Sequence, residues 1–215
     1  MLTPPDSFGC VEEGIYRCAT IEPINTQFIY TLKLRMILTL NPYKPSKLAR
    51  NICQTNNTEL VHIGMQPWRS TSEWLMLSKD IIQDTLIYLL DKRNHPLLLI
   101  DSSNAVVGVL RMVQHWTYSS IVAEFRAFTG GKSHYHTEIF LELLNVHCIT
   151  HEESVKRRKS TEESSRIPRL ETPLTQKKSK LERRIVVHLP PEEVLPIWFK
   201  RQWDMWTEER GYYDQ

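Results

Sequence analysis

The middle of the sequence carries a short aliphatic run, four small polar residues and then a longer apolar run. The aliphatic run covers 97–100, the polar residues are Asp101, Ser102, Ser103 and Asn104, and the apolar run covers 105–116. Four bulky aliphatic residues that follow a turn are typical of a strand buried in a parallel sheet. Asp, Ser and Asn are preferred at the start of a helix, so we expect a helix to begin near Ser103.

The four polar residues, Asp101–Asn104, are called the corner segment below. A corner of this kind places free backbone N–H groups and the positive end of a helix dipole together. Phosphate and sulfate bind at such corners in many α/β proteins. The corner segment is therefore the first candidate functional site, as a place that could hold a phosphate or a sulfate.

Strand-like and helix-like patterns alternate over the first 150 residues. We expect strands at 14–18, 36–40, 59–65 and 97–100, and helices at 25–34, 45–54, 73–92, 118–128 and 135–146. This alternation predicts an α/β fold in which helices flank a central, mostly parallel sheet.

The composition changes near residue 150. From 151 to 180 the chain has almost no large apolar residues, so it cannot bury enough surface to offset its ordering entropy. We therefore expect a domain at 1–149, a disordered charged linker at 150–184 and a C-terminal unit at 185–215. The linker contains a basic run at 156–159, which resembles nuclear-import and polyanion-binding segments, but interleaved acidic pairs favour a solvated linker. Ser160 follows this run and is a candidate phosphorylation site.

Order is expected to return in the C-terminal unit. Residues 185–189 read as a strand, and 195–210 read as a helix with one aromatic stripe. The stripe consists of Leu195, Trp198, Phe199, Trp203 and Trp206. If it were exposed, the stripe would form a large hydrophobic patch on the surface. We therefore expect the helix to dock on its own domain, and a partner could still bind the exposed edge of the helix.

Charge and cysteine content exclude several classes of protein. The formal net charge of +2 does not favour nucleic acid or membrane surfaces, and no apolar run approaches the ~20 residues that cross a bilayer. Four scattered cysteines and a non-secretory N-terminus predict a cytoplasmic protein with free thiols. No metal-ligand spacing joins the candidate ligands, so we expect neither a metal nor a cofactor. These candidates are His134, His136, His147, Cys148 and His151.

Several motifs in the same order resemble a known family. They occupy 4–18, 24–42, 61–66, 89–100, 108–130 and 195–209. They are similar to the fungal and plant atypical tyrosine/dual-specificity phosphatases, which include inositol-pyrophosphate phosphatases and the fungal oxidant-induced cell-cycle arrest proteins. The resemblance implies a protein-tyrosine-phosphatase-like fold and a cytoplasmic role in stress and cell-cycle signalling.

The corner segment departs from the pattern of active members. Those members carry a Cys, five residues and then an Arg after this strand, because a thiolate attacks the phosphoryl group and the Arg clamps it. Here the corner segment has no Cys, Arg111 lies too far along the helix, and no Cys in the chain has an Arg six positions later. The dipeptide His147-Cys148 is therefore not the His-Cys of a phosphatase signature, because Ser154 stands where the Arg would be. We therefore assign no catalytic residue.

The preferred interpretation is a catalytically inactive pseudophosphatase that acts as a regulatory or scaffold subunit in a hetero-oligomer with related family members. One alternative is an active phosphatase with a rebuilt site that uses Asp101 or Ser102 as the nucleophile. Ser102 has no evident base, and an Asp nucleophile normally needs a metal. Another alternative is binding of phosphate or an inositol phosphate, without turnover, at the corner segment.

Overall fold

The computed structural model describes residues 2–64, 77–129, 135–154, 156 and 184–213, with side chains left out at 184 and 208–213. The strands are β1 (Gly9–Glu12), β2 (Ile15–Cys18), β3 (Met36–Thr39), β4 (Glu59–His62), β5 (Leu97–Ile100), β6 (Asn145–Ile149) and β7 (Arg184–His188). The helices are α1 (Thr26–Thr31), α2 (Lys47–Asn56), α3 (Lys79–Leu89), α4 (Ala105–Val113), α5 (Tyr118–Phe128), α6 (Tyr135–Leu143) and α7 (Ile197–Tyr213). Short 3-10 helices occupy Pro23–Asn25, Lys92–Asn94 and Glu192–Val194.

The main sheet has the strand order β1-β2-β5-β3-β4. β2, β5, β3 and β4 are parallel, and β1 is antiparallel to β2. The prediction of a central, mostly parallel sheet is therefore confirmed. β5 lies in the middle of the sheet, and all four of its residues are buried, as expected for a continuous aliphatic strand.

Each central strand contributes alternate side chains to two apolar cores. Leu97 and Leu99 of β5 belong to the larger core, while Leu98 and Ile100 belong to the smaller one. Helices α1 and α2 cover the smaller core, and residues of α3 to α7 cover the larger one. The period-two alternation of a strand places helices on both faces of this sheet.

Local capping explains where several helices begin. The Ser46 hydroxyl accepts a hydrogen bond from the backbone N–H of Ala49 at the start of α2, and Ser78 does the same for Ile81 at the start of α3. The predicted helix at 73–92 was therefore too long. Its first four residues lie outside the described part of the chain, and the described helix begins at Lys79 and ends at Leu89.

Two strands were missed by the sequence prediction. β1 was expected only as an extended entry, and the predicted helix at 135–146 ends at Leu143 because β6 follows at once. β6 pairs in parallel with β7, with Asn145 opposite Arg184. Each strand of this second sheet depends on a partner far along the chain.

The boundary at residue 150 also differs from the prediction. Residues 151–154 are helical, and the Ser154 side chain is buried. Its hydroxyl oxygen lies 2.8 Å from His188 Nδ1. Residues 155 and 157–183 lie outside the described residues, so the disorder of the linker and the candidate phosphorylation site at Ser160 stay predictions.

The C-terminal unit packs on the domain formed by the first part of the chain. Ile185 and Val187 of β7 and Phe199 of α7 are buried in the larger core, and Trp198 and Trp203 pack against it. The aromatic stripe therefore docks on the chain's own domain, as expected. None of the described helices is both long and apolar enough to span a membrane.

Candidate functional site

The corner segment lies at the carboxyl edge of the main sheet, directly after the central strand β5. The backbone N–H of Asp101 donates to the carbonyl of Cys18 at 3.1 Å, which continues the pairing of β5 with β2. In open parallel sheets, ligands bind at this edge. The fold thus places the four predicted residues where chemistry is expected.

The Asp101 carboxylate accepts hydrogen bonds from donors in and next to the corner segment. One of its oxygens accepts from the Ser103 backbone N–H at 2.8 Å and from the Ser103 hydroxyl at 2.6 Å. The other accepts from the Val106 N–H at 3.3 Å, inside the first turn of α4. The side chain is only 2% exposed. A carboxylate of the protein itself therefore occupies the anion-attracting end of this helix.

Two opposing effects act on this carboxyl group. Burial raises the pKa of Asp101 above its usual range, and the hydrogen bonds from Ser103 and Val106 partly offset that rise. The group is enclosed rather than presented to solvent.

The helix start differs in detail from the expectation. Asn104 occupies the N-cap position of α4 with φ of 53°, and its side chain makes no capping hydrogen bond. Ser103 Oγ instead accepts from the Ala105 N–H at 3.3 Å. The cap is thus shared between Asp101 and Ser103, which satisfies backbone donors that an external anion would need.

Ser102 is exposed, and its hydroxyl donates to Asn41 Oδ1 at 3.3 Å. An amide oxygen is not a base at neutral pH, so this contact does not activate the hydroxyl as a nucleophile. Ser102 borders a cavity of about 480 Å³ between the loops after β2 and β3, whose rim also carries Lys44.

Arg111 lies on α4, and the contacts of its guanidinium are with residues outside the corner segment. Its guanidinium donates to Glu124 Oε2 at 2.8 Å and to the Val11 carbonyl at 2.9 Å, and it also contacts Glu12. Burial lowers the pKa of Arg111, but its hydrogen bonds and the charges of Glu124 and Glu12 together raise it above the ordinary value. The guanidinium is thus engaged by Glu124, Glu12 and Val11, and the inability of Arg111 to serve as a phosphate clamp stays a prediction.

A second buried arginine completes a cluster that the sequence analysis missed. Arg17 of β2 is 2% exposed, lies 3.2 Å from Glu124 and stacks on the Phe128 ring. Burial lowers the pKa of Arg17 to about 10. We call Arg17, Arg111, Glu12 and Glu124 the buried ionic cluster. An arginine inside a strand or an apolar helix is the sequence signal that could have revealed it.

The cysteines do not provide an activated thiol. Burial raises the pKa of Cys18 and of Cys148 to about 12, and that of Cys53 to about 11. Cys148 lies within β6 rather than at a helix N-terminus, which is where thiolates are stabilised. Cys10 is exposed on the edge strand β1.

The aromatic stripe of α7 packs against the larger core and against His115. Phe199 is 1% exposed, and its ring stacks near Trp203 with centroids 6.0 Å apart. Trp206 lies 5.1 Å from the His115 ring. Trp198 Nε1 is buried without a hydrogen-bond partner among the described residues.

The candidate metal ligands of the sequence analysis are described only in part. His134 lies outside the described residues, and no group of three or more His, Cys, Asp or Glu side chains in the described part of the chain could hold a metal ion.

Comparisons with known proteins place these features in a family. The family model described as the tyrosine phosphatase family matches residues 2–162. The probable tyrosine-protein phosphatase DG1060 of Dictyostelium discoideum is 32% identical over 153 residues, which cover 69% of this chain and 91% of that protein. Inositol diphosphatase DSP3 of Arabidopsis thaliana is 33% identical and is covered to 73%, with 68% of this chain.

Two yeast proteins extend the comparison. Protein OCA4 of Saccharomyces cerevisiae is 28% identical over 203 residues, with 68% of this chain but only 56% of that protein covered. The structure of the Siw14 catalytic core superposes with a TM-score of 0.61 at 23% identity, over 76% of this chain and 95% of that one. At that identity the match supports the phosphatase fold and nothing finer.

Proposed function

The chain belongs to the tyrosine phosphatase family, and we propose that it is a catalytically inactive member that acts by binding, as a regulatory or scaffold subunit. The observation that carries this proposal is the Asp101 carboxylate, which accepts the hydrogen bonds of Ser103 and Val106. In a thiolate phosphatase those donors serve the phosphoryl oxygens. Here those donors already have an acceptor within the protein, so they are not free to bind a phosphate.

Three further observations support the absence of turnover. The corner segment has no cysteine, the only arginine of α4 is held by Glu12 and Glu124, and Ser102 contacts an amide oxygen rather than a base. Nucleophile, clamp and general base are the parts that phosphoryl transfer through a covalent intermediate requires.

Hydrolysis assays test this proposal. Purified protein is incubated with a phosphotyrosine peptide, a fluorogenic phosphate ester and an inositol pyrophosphate, beside an active family member as a positive control. We expect release of phosphate at the level of buffer alone. Turnover above that level that disappears in Ser102→Ala or Asp101→Asn would establish the rebuilt-site alternative instead.

Binding without turnover is tested by calorimetric titration with phosphate and with an inositol polyphosphate. We expect no heat of binding at the corner segment, because Asp101 takes its donors. Saturable binding that is lost in Ser103→Ala would favour the ligand-binding alternative.

We further propose that the partners are related members of the same family and that the complex is cytoplasmic. The family membership supports this assignment. Co-purification of tagged chain with sister family members, followed by mass spectrometry, is the direct measurement. Recovery of the chain alone, as a monomer by light scattering, would contradict it.

A further inference from the structure

A groove lies between the segment around residue 150 and the part of the chain from Leu189 to Thr207. It has a volume of about 440 Å³, and three parts of the chain form its walls. These are residues 150–152 at the start of the helical segment 151–154, the segment 189–195 that follows β7, and α7 from Lys200 to Thr207. None of its lining residues belongs to the corner segment or to the buried ionic cluster.

The floor of the groove is apolar and includes an aromatic ring. Leu189 and Leu195 are buried, and Pro190 and Pro191 form the adjacent wall. Trp203 is half-buried, with one side packed on the core beside Phe199. The indole of Trp203 borders the groove, where its π-system can receive an aliphatic stem or a cationic group.

The rim of the groove is strongly acidic. It carries four carboxylates, from Glu152, Glu192, Glu193 and Asp204, and one ammonium group, from Lys200. Lys200 Nζ lies 3.4 Å from Glu192, and the Glu192 side chain is 83% exposed. Among the residues that the structure describes, the other three carboxylates form no ion pair. The groove therefore carries excess negative charge above an apolar floor.

This combination selects one class of occupant. A cavity of this volume is far larger than an ion needs, and the described residues contain no cluster that could ligate a metal. An anionic ligand would be repelled by the rim. Lysine and arginine side chains match both features, because their stems cover apolar surface while their charged heads reach carboxylates.

We propose that this groove docks an extended, lysine- and arginine-bearing segment of a partner protein. A basic side chain lies over Trp203, and neighbouring cations of the segment pair with Glu152, Glu193 and Asp204. The proposal extends the binding role of the chain by naming the chemistry of a partner. Its test needs no phosphate ester, so it and the proposed lack of turnover can fail separately.

The experiment measures fluorescence anisotropy of a short labelled peptide in which lysine and arginine alternate with alanine, titrated with the full chain. The variant Glu152→Lys/Asp204→Lys reverses two exposed rim charges. We expect saturable binding at low ionic strength, weakened about tenfold or more in this variant, because two attractions become repulsions. Binding should also weaken as the salt concentration approaches ~0.5 M.

The control is Glu13→Lys, which reverses one exposed charge, half the charge change of the groove variant, at a turn remote in sequence from the groove. It should leave the affinity unchanged, and thermal melting should show that all variants are folded. Equal weakening in Glu13→Lys, or no binding by the parent chain, would overturn the proposal. Binding that appears only after the basic residues at 156–159 are replaced by serine would mean that the groove serves the chain's own basic run, which would also overturn it.

Discussion

At the scale of single residues, the Asp101 side chain decides what the corner segment can bind. Its carboxylate is the internal partner of donors that would otherwise be free at the end of β5. Burial and hydrogen bonding hold this side chain in one position, so the protein's own carboxyl group occupies the place where an external anion would bind. A ligand must displace that carboxylate before it can use the same N–H groups.

Replacement of Asp101 by alanine should lower the free energy of unfolding by about 2 kcal/mol, because it removes a helix cap and leaves buried donors unpaired. Urea unfolding followed by circular dichroism measures this. Asp84→Ala, on the exposed side of α3, is the control and should change stability by less than about 0.5 kcal/mol. Equal effects of the two substitutions would show that the Asp101 contacts are not stabilising.

The cysteines make a second prediction at the residue scale. At about pH 8, a thiol-exchange reagent should react quickly with one thiol per chain, Cys10, which is exposed. Burial raises the pKa of Cys18, Cys53 and Cys148 to about 11 or 12, so these should react only as the protein unfolds. Cys10→Ser should remove the fast phase. A fast phase that survives this substitution would reveal an activated thiol and would weaken the inactive assignment.

At the scale of elements, the buried ionic cluster holds α4 between β1 and α5. Arg111 joins Val11 and Glu12 at the edge of the sheet to Glu124 of α5. Gln114 extends these contacts to α7 through a 2.9 Å hydrogen bond to Gln202. The helix that carries the corner segment is thus fixed at its other end by charges that lie far apart in the sequence.

Arg111→Met keeps most of the side-chain volume but leaves Glu12 and Glu124 without their main cation. It should cost about 3 kcal/mol of unfolding free energy, because an uncompensated buried charge is expensive. Arg126→Ala breaks an exposed pair with Glu138 and should cost less than about 1 kcal/mol. The two values come from parallel denaturant titrations. If Arg111→Met lowered the free energy of unfolding no more than Arg126→Ala does, the buried ionic cluster would contribute no more than a solvent-exposed ion pair.

At the scale of the whole molecule, the C-terminal segment is part of the fold rather than an appendage. β7 pairs with β6, and Phe199 of α7 enters the same core as the central strands. The acidic groove exists only because this segment docks. The stability of the domain and the shape of the proposed partner surface are therefore linked.

Phe199→Ala should destabilise the whole protein by about 4 kcal/mol, since it removes a fully buried ring from the larger core. Ile197→Ala, two residues earlier on the same helix and 64% exposed, should have an effect within about 0.5 kcal/mol. Thermal melting should show one cooperative transition for both. An early separate transition in Phe199→Ala, with the rest of the protein unchanged, would mean that α7 melts independently.

The sequence by itself determined the elements whose patterns are local. The aliphatic run of β5, the helix at Tyr118–Phe128 and the aromatic stripe of α7 follow from short-range periodicity, since burial on one face repeats within a few residues. The missing Cys and Arg at the corner segment are also readable without a structure.

Only the tertiary structure decided the features that join distant residues. β6 exists because β7 pairs with it, each residue with a partner 39 positions further along the chain, and the partners of Arg111 come from β1 and α5. The role of Asp101 also had to be seen in three dimensions, because the same residue could have faced a ligand or its own backbone. Local periodicity carries no information on long-range pairing, and side-chain direction at a corner is set by what packs around it.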